Sequence, residues 1–117
     1  MERNRPKPLN EWFVVTFDDR SVYMRAEPPG KPAWSQEFTW ESVVRVCFAT
    51  EDFTLSDGVY VFTTQRPEGY DIPTEARGGG DFWNEIVRRK LFDAKLAVDA
   101  MASTGRLYCW PPDTPGA

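Results

Sequence analysis

The sequence predicts an α+β domain, in which a bent antiparallel sheet of about five to seven strands precedes helices near the carboxyl end. Short runs rich in aromatic and β-branched residues, separated by turn residues, recur from residue 11 to residue 73. An amphipathic helical pattern then covers residues 81–102. We expect the helices to pack on one face of the sheet or to close one end of it, so that the sheet forms a roll or partial barrel.

The composition fits one globular domain over residues 1–117, with 41% hydrophobic and 27% charged residues. We expect flexible ends at residues 1–10 and 111–117. The net charge of -4 repels phosphate backbones and anionic membranes, so neither nucleic acid nor a membrane is an expected partner. No apolar run has the length of a membrane span or of a signal peptide's central region, and we therefore expect a cytoplasmic protein.

The two cysteines, Cys47 and Cys109, are expected to be free thiols. Two cysteines are too few to staple a small secreted fold, and cytoplasmic thiols are kept reduced. Cys47 lies in an apolar run, where a small buried thiol is common. The sequence therefore predicts a buried Cys47 and a more reactive Cys109.

The first third of the chain predicts three strands. Residues 11–17 and 21–25 form a hairpin joined at Asp18-Asp19-Arg20, where the aspartates favour turn chemistry over a carboxylate site. Residues 27–32 contain three prolines and a glycine, which predict a surface loop. Residues 34–40 alternate between large and polar side chains, as in a strand with one wet face.

The stretch at residues 40–48 has two interpretations. Its apolar residues fall at positions 40, 43, 44, 47 and 48, which is the spacing of a helical stripe. The stretch is also short and rich in valine, which favours a tight turn at Glu41-Ser42 followed by a strand. We favour the turn and strand.

Further along, residues 59–64 predict a strand and residues 65–69 a turn. Residues 70–73 predict a further strand, which Pro73 either ends or places at an edge, because proline has no N–H for a central ladder.

The glycines at positions 78–80 precede the helical pattern and have two possible roles. Glycines at a helix start can hold a phosphate, but no lysine follows them and Asp81 would place a carboxylate there. We therefore expect a loop that leads into the helix, with Asp81 as N-cap. Glu85 and Arg89 are spaced for an ion pair, and Asp93 is the expected N-cap of a second helix that ends before Gly105.

Catalytic, cofactor-binding and metal-binding residues are not expected. The chain contains no histidine, which removes the commonest general base and the usual zinc ligand. Two cysteines without histidine cannot complete a zinc site, and the carboxylates show no paired arrangement in a cleft. We predict a protein that is not an enzyme.

The acidic connection at residues 50–58 is the candidate partner-binding segment. Its candidate contact residues are Glu51, Asp52, Phe53, Leu55 and Asp57. The carboxylates would attract a basic protein partner, and the two apolar side chains would supply buried contact area. For Phe53 and Leu55 themselves, we favour the interpretation that they belong to the core, because large apolar side chains are usually buried.

Aromatic residues make up 15% of the chain, and most are expected in the core. Trp12, Trp34 and Trp110 are the expected surface residues, because they lie near loops and chain ends, where aromatic side chains anchor protein interfaces.

The order of elements resembles a known group of bacterial proteins. The run from Phe38 through Val46, the next strand, the Tyr70-Asp71-Ile72-Pro73 stretch and an amphipathic helix are similar to small bacterial proteins with a pleckstrin-homology-like sheet, the YcxB-like group. The resemblance covers roughly residues 11–91, and the second helix and the Trp110 tail depart from it.

Small acidic proteins of this kind also resemble, by analogy, immunity proteins that bind and neutralise bacterial toxins. This resemblance implies a non-catalytic protein-binding domain, with an immunity-type inhibitor as its specific form. The alternative is a small-ligand or lipid-binding module whose pocket lies between sheet and helix. An apolar cavity lined by Trp40, Phe62 and Trp83 would favour that alternative.

Overall fold

A computed structural model describes residues 8–50 and 57–112 of the chain. Within these residues it contains seven β strands and two α helices, which confirms the predicted α+β class. The strands are β1 (Phe13–Phe17), β2 (Ser21–Ala26), β3 (Trp34–Thr39), β4 (Val43–Ala49), β5 (Gly58–Thr63), β6 (Arg66–Pro73) and β7 (Leu107–Trp110). The helices are α1 (Gly79–Arg88) and α2 (Ala94–Met101).

The strands form two antiparallel sheets, and not the single bent sheet that the sequence predicted. Sheet 1 has the order β1-β2-β3, and sheet 2 has the order β6-β5-β4-β7. No strand pairing joins the two sheets in the part of the chain that the structure describes, so they do not close into a barrel. β3 and β6 are consequently edge strands, as one of the two interpretations of Pro73 predicted for β6.

The core lies between the sheets and is completed by the helices. Alternate side chains of the strands point inward, as Val22 and Met24 on β2 illustrate. The rings of Phe38 and Tyr70 lie 4.9 Å apart and connect sheet 1 to sheet 2. Helix α1 joins this core through its buried apolar face, which consists of Phe82, Trp83 and Ile86.

Asp18 builds the turn of the first hairpin. Its Oδ1 accepts hydrogen bonds from the N–H groups of Arg20, at 2.9 Å, and Ser21, at 2.8 Å. The Tyr23 hydroxyl donates to its Oδ2. These hydrogen bonds, with that from Arg20 the strongest, lower the pKa of Asp18. The predicted turn role of this aspartate is confirmed.

The stretch at residues 40–48 is a turn followed by a strand. Trp40–Ser42 forms one 3-10 turn, and β4 follows directly. The Ser42 hydroxyl donates to the Thr39 carbonyl at 2.7 Å, and the Trp40 indole N–H donates to the Asp18 carbonyl at 2.8 Å. The favoured interpretation is confirmed, and the helical one is wrong.

Two local predictions are corrected. The turn predicted at residues 65–69 is mostly strand, because β6 begins at Arg66 and the hairpin turn contains only residues 64–65. Pro67 is accommodated because β6 is an edge strand. Asp81 is not the N-cap of α1, which begins at Gly79 with Gly78 as its N-cap.

Gly78 occupies a position that requires glycine. Its φ is +82°, and a Cβ atom there would lie 2.2 Å from the Val15 carbonyl oxygen. The preceding residue, Arg77, pairs with β1: its N–H donates to the Phe13 carbonyl at 2.9 Å and its carbonyl accepts from the Val15 N–H at 2.8 Å. The glycines therefore lead the chain into α1, as predicted, while it passes against β1.

The second helix begins as predicted. The Asp93 Oδ2 accepts a hydrogen bond from the Leu96 N–H at 2.9 Å, which makes Asp93 the N-cap of α2. After α2 the chain returns as β7, which pairs with β4. The segment ending in Trp110 thus reaches back to the core.

The prediction of two free thiols is wrong, because Cys47 and Cys109 form a disulfide. They lie directly opposite each other in the antiparallel pair of β4 and β7, with Cα atoms 4.0 Å apart. The two cysteines are 62 residues apart in the sequence, so no local pattern indicates that they pair.

Reduction of the disulfide should lower the free energy of unfolding. A bridge that closes a loop of 62 residues stabilises a fold by about 4 kcal/mol through the entropy of the unfolded chain. We expect urea unfolding to shift to lower concentrations in reductant, and the Cys47→Ser, Cys109→Ser double variant to match the reduced protein. Incorporation of two alkyl groups into unreduced, unfolded protein would contradict the bridge.

Truncation of Trp83 should destabilise the fold far more than truncation of Trp12. Trp83 is 7% exposed and its ring lies 4.6 Å from that of Phe48, whereas Trp12 is only partly buried. We expect Trp83→Ala to cost roughly 3 to 5 kcal/mol, as for other buried aromatic residues. Chemical denaturation of both alanine variants measures the difference, and equal midpoints would show that the placement of α1 is wrong.

Candidate functional site

Most of the predicted partner-binding segment lies outside the described residues. Glu51, Asp52, Phe53 and Leu55 belong to residues 51–56, so the structure gives no account of them. Asp57 is described, and its carbonyl accepts hydrogen bonds from the Thr74 N–H at 3.0 Å and the Thr74 hydroxyl at 3.3 Å. The acidic connection therefore stays a predicted contact site.

Two of the three tryptophans predicted at the surface share one groove. Trp34 is 38% exposed, and Trp12 is partly buried. Both line an open groove of about 480 Å³, which we call the edge groove because it lies between β3 and β6. Trp110 is partly buried, as Trp12 is, but it lies in β7 at the far side of sheet 2 and does not line the edge groove.

The aromatic wall of the edge groove depends on a small residue in β2. The strand register places Ala26 between Phe13 on β1 and Trp34 on β3. Because Ala26 has only a methyl group, the rings of Phe13 and Trp34 approach each other across it edge to face, with centroids 5.4 Å apart. Trp34 is thereby held in place by the core while one side of it faces solvent.

The other wall of the edge groove is the backbone of β6. Gly69, Asp71 and Pro73 line it there. At one end, the Arg66 guanidinium lies 3.7 Å from the centre of the Tyr70 ring and donates to the Glu68 and Gly69 carbonyls. The exposed Lys31, in the loop after β2, lies at the rim.

Both walls present peptide groups that the sheets do not use. In an antiparallel pair, the peptide groups of alternate residues point to the partner strand. The Trp40 N–H donates to the Arg20 carbonyl at 2.9 Å, so the peptide groups of residue 40 point toward the chain that leads into β2. By alternation in the same register, the peptide groups of residues 38, 36 and 34 also point toward β2. The peptide groups of Ser35 and Glu37 therefore point away from β2, into the gap.

The same reasoning applies to β6. The Thr74 N–H donates to the Asp57 carbonyl, so residues 70 and 72 pair with β5 while the peptide group of Asp71 faces away. The Glu37 carbonyl accepts only a long hydrogen bond, 3.4 Å, from the Tyr70 hydroxyl. The N–H groups of Ser35, Glu37 and Asp71 form no hydrogen bond with the rest of the described chain.

Two carboxylates flank the gap on the outer side. Glu37 and Asp71 each neighbour inward-facing core residues, so their own side chains point outward. Neither carboxylate forms an ion pair with a described residue. The surrounding protein atoms raise the pKa of Asp71 above its ordinary value by desolvating its charged form, although the residue remains solvent-exposed.

A second concavity, of about 750 Å³, lies beside Trp40 and Arg89. The Arg89 guanidinium lies 4.4 Å from the centre of the Trp40 ring, and its Nε donates to the Glu85 carboxylate at 2.7 Å. The predicted Glu85–Arg89 pair is confirmed. Arg89 shares the Glu85 carboxylate with Arg88, and the cleft is also lined by Arg20, Asp19 and Glu41, so charges of both signs surround it.

The cavity that would favour a ligand-binding module is not formed by the expected side chains. Trp40 and Trp83 are each 7% exposed and belong to the core. Phe62 lies on the opposite face of β5, where its ring covers Gly69. The three side chains therefore do not line a common pocket.

No group of three or more His, Cys, Asp or Glu residues in the described ranges is arranged to hold a metal ion. No helix among residues 8–50 and 57–112 is long and apolar enough to cross a membrane.

Comparison with known proteins finds no match among family models, curated proteins or solved structures. The resemblance to the pleckstrin-homology-like, YcxB-like group and the analogy to immunity proteins therefore stay predictions.

Glu85 should support the fold in mild acid. Hydrogen bonds from Arg88 and then Arg89 lower its pKa from 4.5 to about 2. Since the folded state holds this carboxylate ionised more strongly than the unfolded state, its contribution is complete above about pH 4.5 and is lost as the pH falls toward 2.

The measurement is the melting temperature of wild type and Glu85→Gln from pH 7 to pH 2. The variant should be less stable at neutral pH, and the difference should shrink between about pH 4.5 and about 2. Glu68→Gln, at an exposed residue without an ion pair to the described chain, is the control and should show a smaller, flatter difference. A Glu85→Gln difference that stays constant with pH would refute the assignment.

Proposed function

We propose that this chain is a non-catalytic protein-binding domain and that the edge groove is its contact surface. The observation that carries the proposal is that Trp12 and Trp34 line one open groove, with Trp34 partly exposed and fixed against Phe13. Tryptophans in concave, partly desolvated positions are the residues that most often dominate binding energy at protein interfaces. A rigid anchor also loses little conformational freedom on binding.

The specific form that we propose is an immunity-type inhibitor of a bacterial toxin. The net charge of -4 supports a basic partner, because opposite charges accelerate association. The carboxylates of Glu37 and Asp71 beside the edge groove would serve a basic surface in the same way as the acidic connection at residues 50–58. A ligand- or lipid-binding module has less support, because Trp40, Phe62 and Trp83 do not form its pocket.

The cellular location bears on the proposed function. A cytoplasmic location was expected from the sequence, but the Cys47–Cys109 bridge counts against a strongly reducing compartment. A protein that acts on secreted toxins could function on the oxidising side of the membrane, and the redox state of the bridge in cells would distinguish the two locations.

Trp34→Ser should weaken partner binding by roughly tenfold or more, which is the loss expected for an anchor tryptophan. The partner is first captured from the native host on immobilised wild-type protein, identified by mass spectrometry and purified. Its affinity for wild type and variants is then measured by isothermal titration calorimetry.

Tyr23→Ser is the matched control, because Tyr23 is 40% exposed on sheet 1 and does not line the edge groove. Its affinity should stay within about twofold of wild type, as for most residues outside a hot spot. Equal affinities for wild type and a folded Trp34→Ser variant would show that the edge groove is not the contact surface.

A further inference from the structure

The edge groove separates two strands that each lack a partner on one side. β3 has six residues and β6 has eight, and they face each other without backbone pairing in the described chain. Unpaired N–H and C=O groups along an edge are a template for another strand, and folded proteins usually cover or shorten such edges. Two uncovered edges on either side of one groove are therefore unusual in a folded protein, and a further strand could pair with them.

The peptide groups in the gap match those of an extended chain. Ser35 and Glu37 on β3 and Asp71 on β6 each present an N–H group toward the gap, and the carbonyls of Ser35 and Asp71 accept no hydrogen bond there from residues 8–50 and 57–112. An extended segment presents its own N–H and C=O groups alternately to either side. A segment lying between β3 and β6 could pair with both strands.

Side chains on the two faces of the gap differ in chemistry. The burial patterns of β3 and β6 place Trp34 and Gln36 on the inner face with the buried Phe38, and Glu37 and Asp71 on the outer face. Successive side chains of a strand point to opposite faces, and oppositely charged pairs across neighbouring strands are stabilising. The complementary segment would alternate apolar side chains facing inward with basic side chains facing outward.

We infer that the edge groove takes up an extended segment of the partner protein, with alternating basic and apolar residues, as an additional strand between β3 and β6. This inference rests on the proposed protein-binding function and specifies how the partner is recognised. Main-chain hydrogen bonds supply affinity in this mode, and the alternating side chains supply specificity. The carboxylates of Glu37 and Asp71 lie on the outer face, so the basic residues of the segment are assigned to that face.

The probe is a ten-residue peptide in which lysine and valine alternate, with blocked ends. At saturation it should slow hydrogen exchange of the Ser35, Glu37 and Asp71 amides by roughly tenfold, as new hydrogen bonds form. The same peptide with glutamate in place of lysine should bind at least about twofold to fivefold more weakly, since it places like charges across from the carboxylates. Nuclear magnetic resonance measures both effects.

Ser35→Pro tests the backbone directly. It removes an N–H that points into the gap, and an edge strand tolerates proline at such a position. Peptide binding should weaken roughly threefold to tenfold, the effect of losing one hydrogen bond. Ser35→Ala is the matched control, because it removes the hydroxyl and keeps the N–H, and it should bind as wild type does.

The outcomes separate this inference from the proposed function. Unchanged amide exchange with peptide, or equal binding by Ser35→Pro and Ser35→Ala, would overturn strand addition. Protection that rises with protein concentration alone would also overturn it, since the occupant would then be a second copy of this chain. If the natural partner requires Trp34 but is insensitive to Ser35→Pro, strand addition is wrong while protein binding through the groove stands.

Discussion

The backbone pairing between Arg77 and β1 holds the helices and the sheets in one arrangement. Its two hydrogen bonds, of 2.8 and 2.9 Å, hold Arg77 against β1. Arg77 directly precedes Gly78 and lies two residues before the start of α1. From that start, α1 crosses the open side of the core and places Trp83 against Phe48 of sheet 2. The approach is so close that a Cβ at Gly78 would overlap the Val15 carbonyl. A single glycine thus permits the contact on which the sheet-to-helix packing depends.

The four outer strands of the two sheets differ in length and in how far their free edges are covered. The two longest edges that the described chain leaves uncovered border the edge groove. β1 is partly covered by Arg77, and β7 has only four residues. β3 and β6 are longer and face each other uncovered in the described chain. An exposed edge favours unwanted pairing with other chains. Retention of two such edges beside two tryptophans is the physical argument for the proposed binding role.

Elements whose signals are local could be predicted from the sequence. Asp18 and Asp93 perform the turn and cap roles that their side chains favour, because each bonds to N–H groups two or three residues away. The N-cap of α1 could not be assigned in this way. Asp81 has the better capping side chain, but the close approach to β1 imposed Gly78.

Features that depend on the register between strands were harder to predict from the sequence. The Cys47–Cys109 bridge follows from the pairing of β4 with β7, which no local pattern encodes. Trp12 and Trp34 were recognised as surface residues, but their shared groove depends on the alignment of β1, β2 and β3. The available signal was Ala26, a small residue in an otherwise bulky strand pattern, which allows Phe13 and Trp34 to meet across it.

The edge groove is organised before any partner arrives, and this bears on how it could bind. Trp34 is braced by Phe13, which is itself 5% exposed, and Tyr70 ties β6 to Phe38 of β3. Regular strands on both sides fix the directions of the free peptide groups. The entropy lost on binding would therefore fall mainly on the incoming segment, and a partner segment that is already extended would lose the least. Recognition by the edge groove should accordingly favour an exposed strand of a folded partner over a disordered tail.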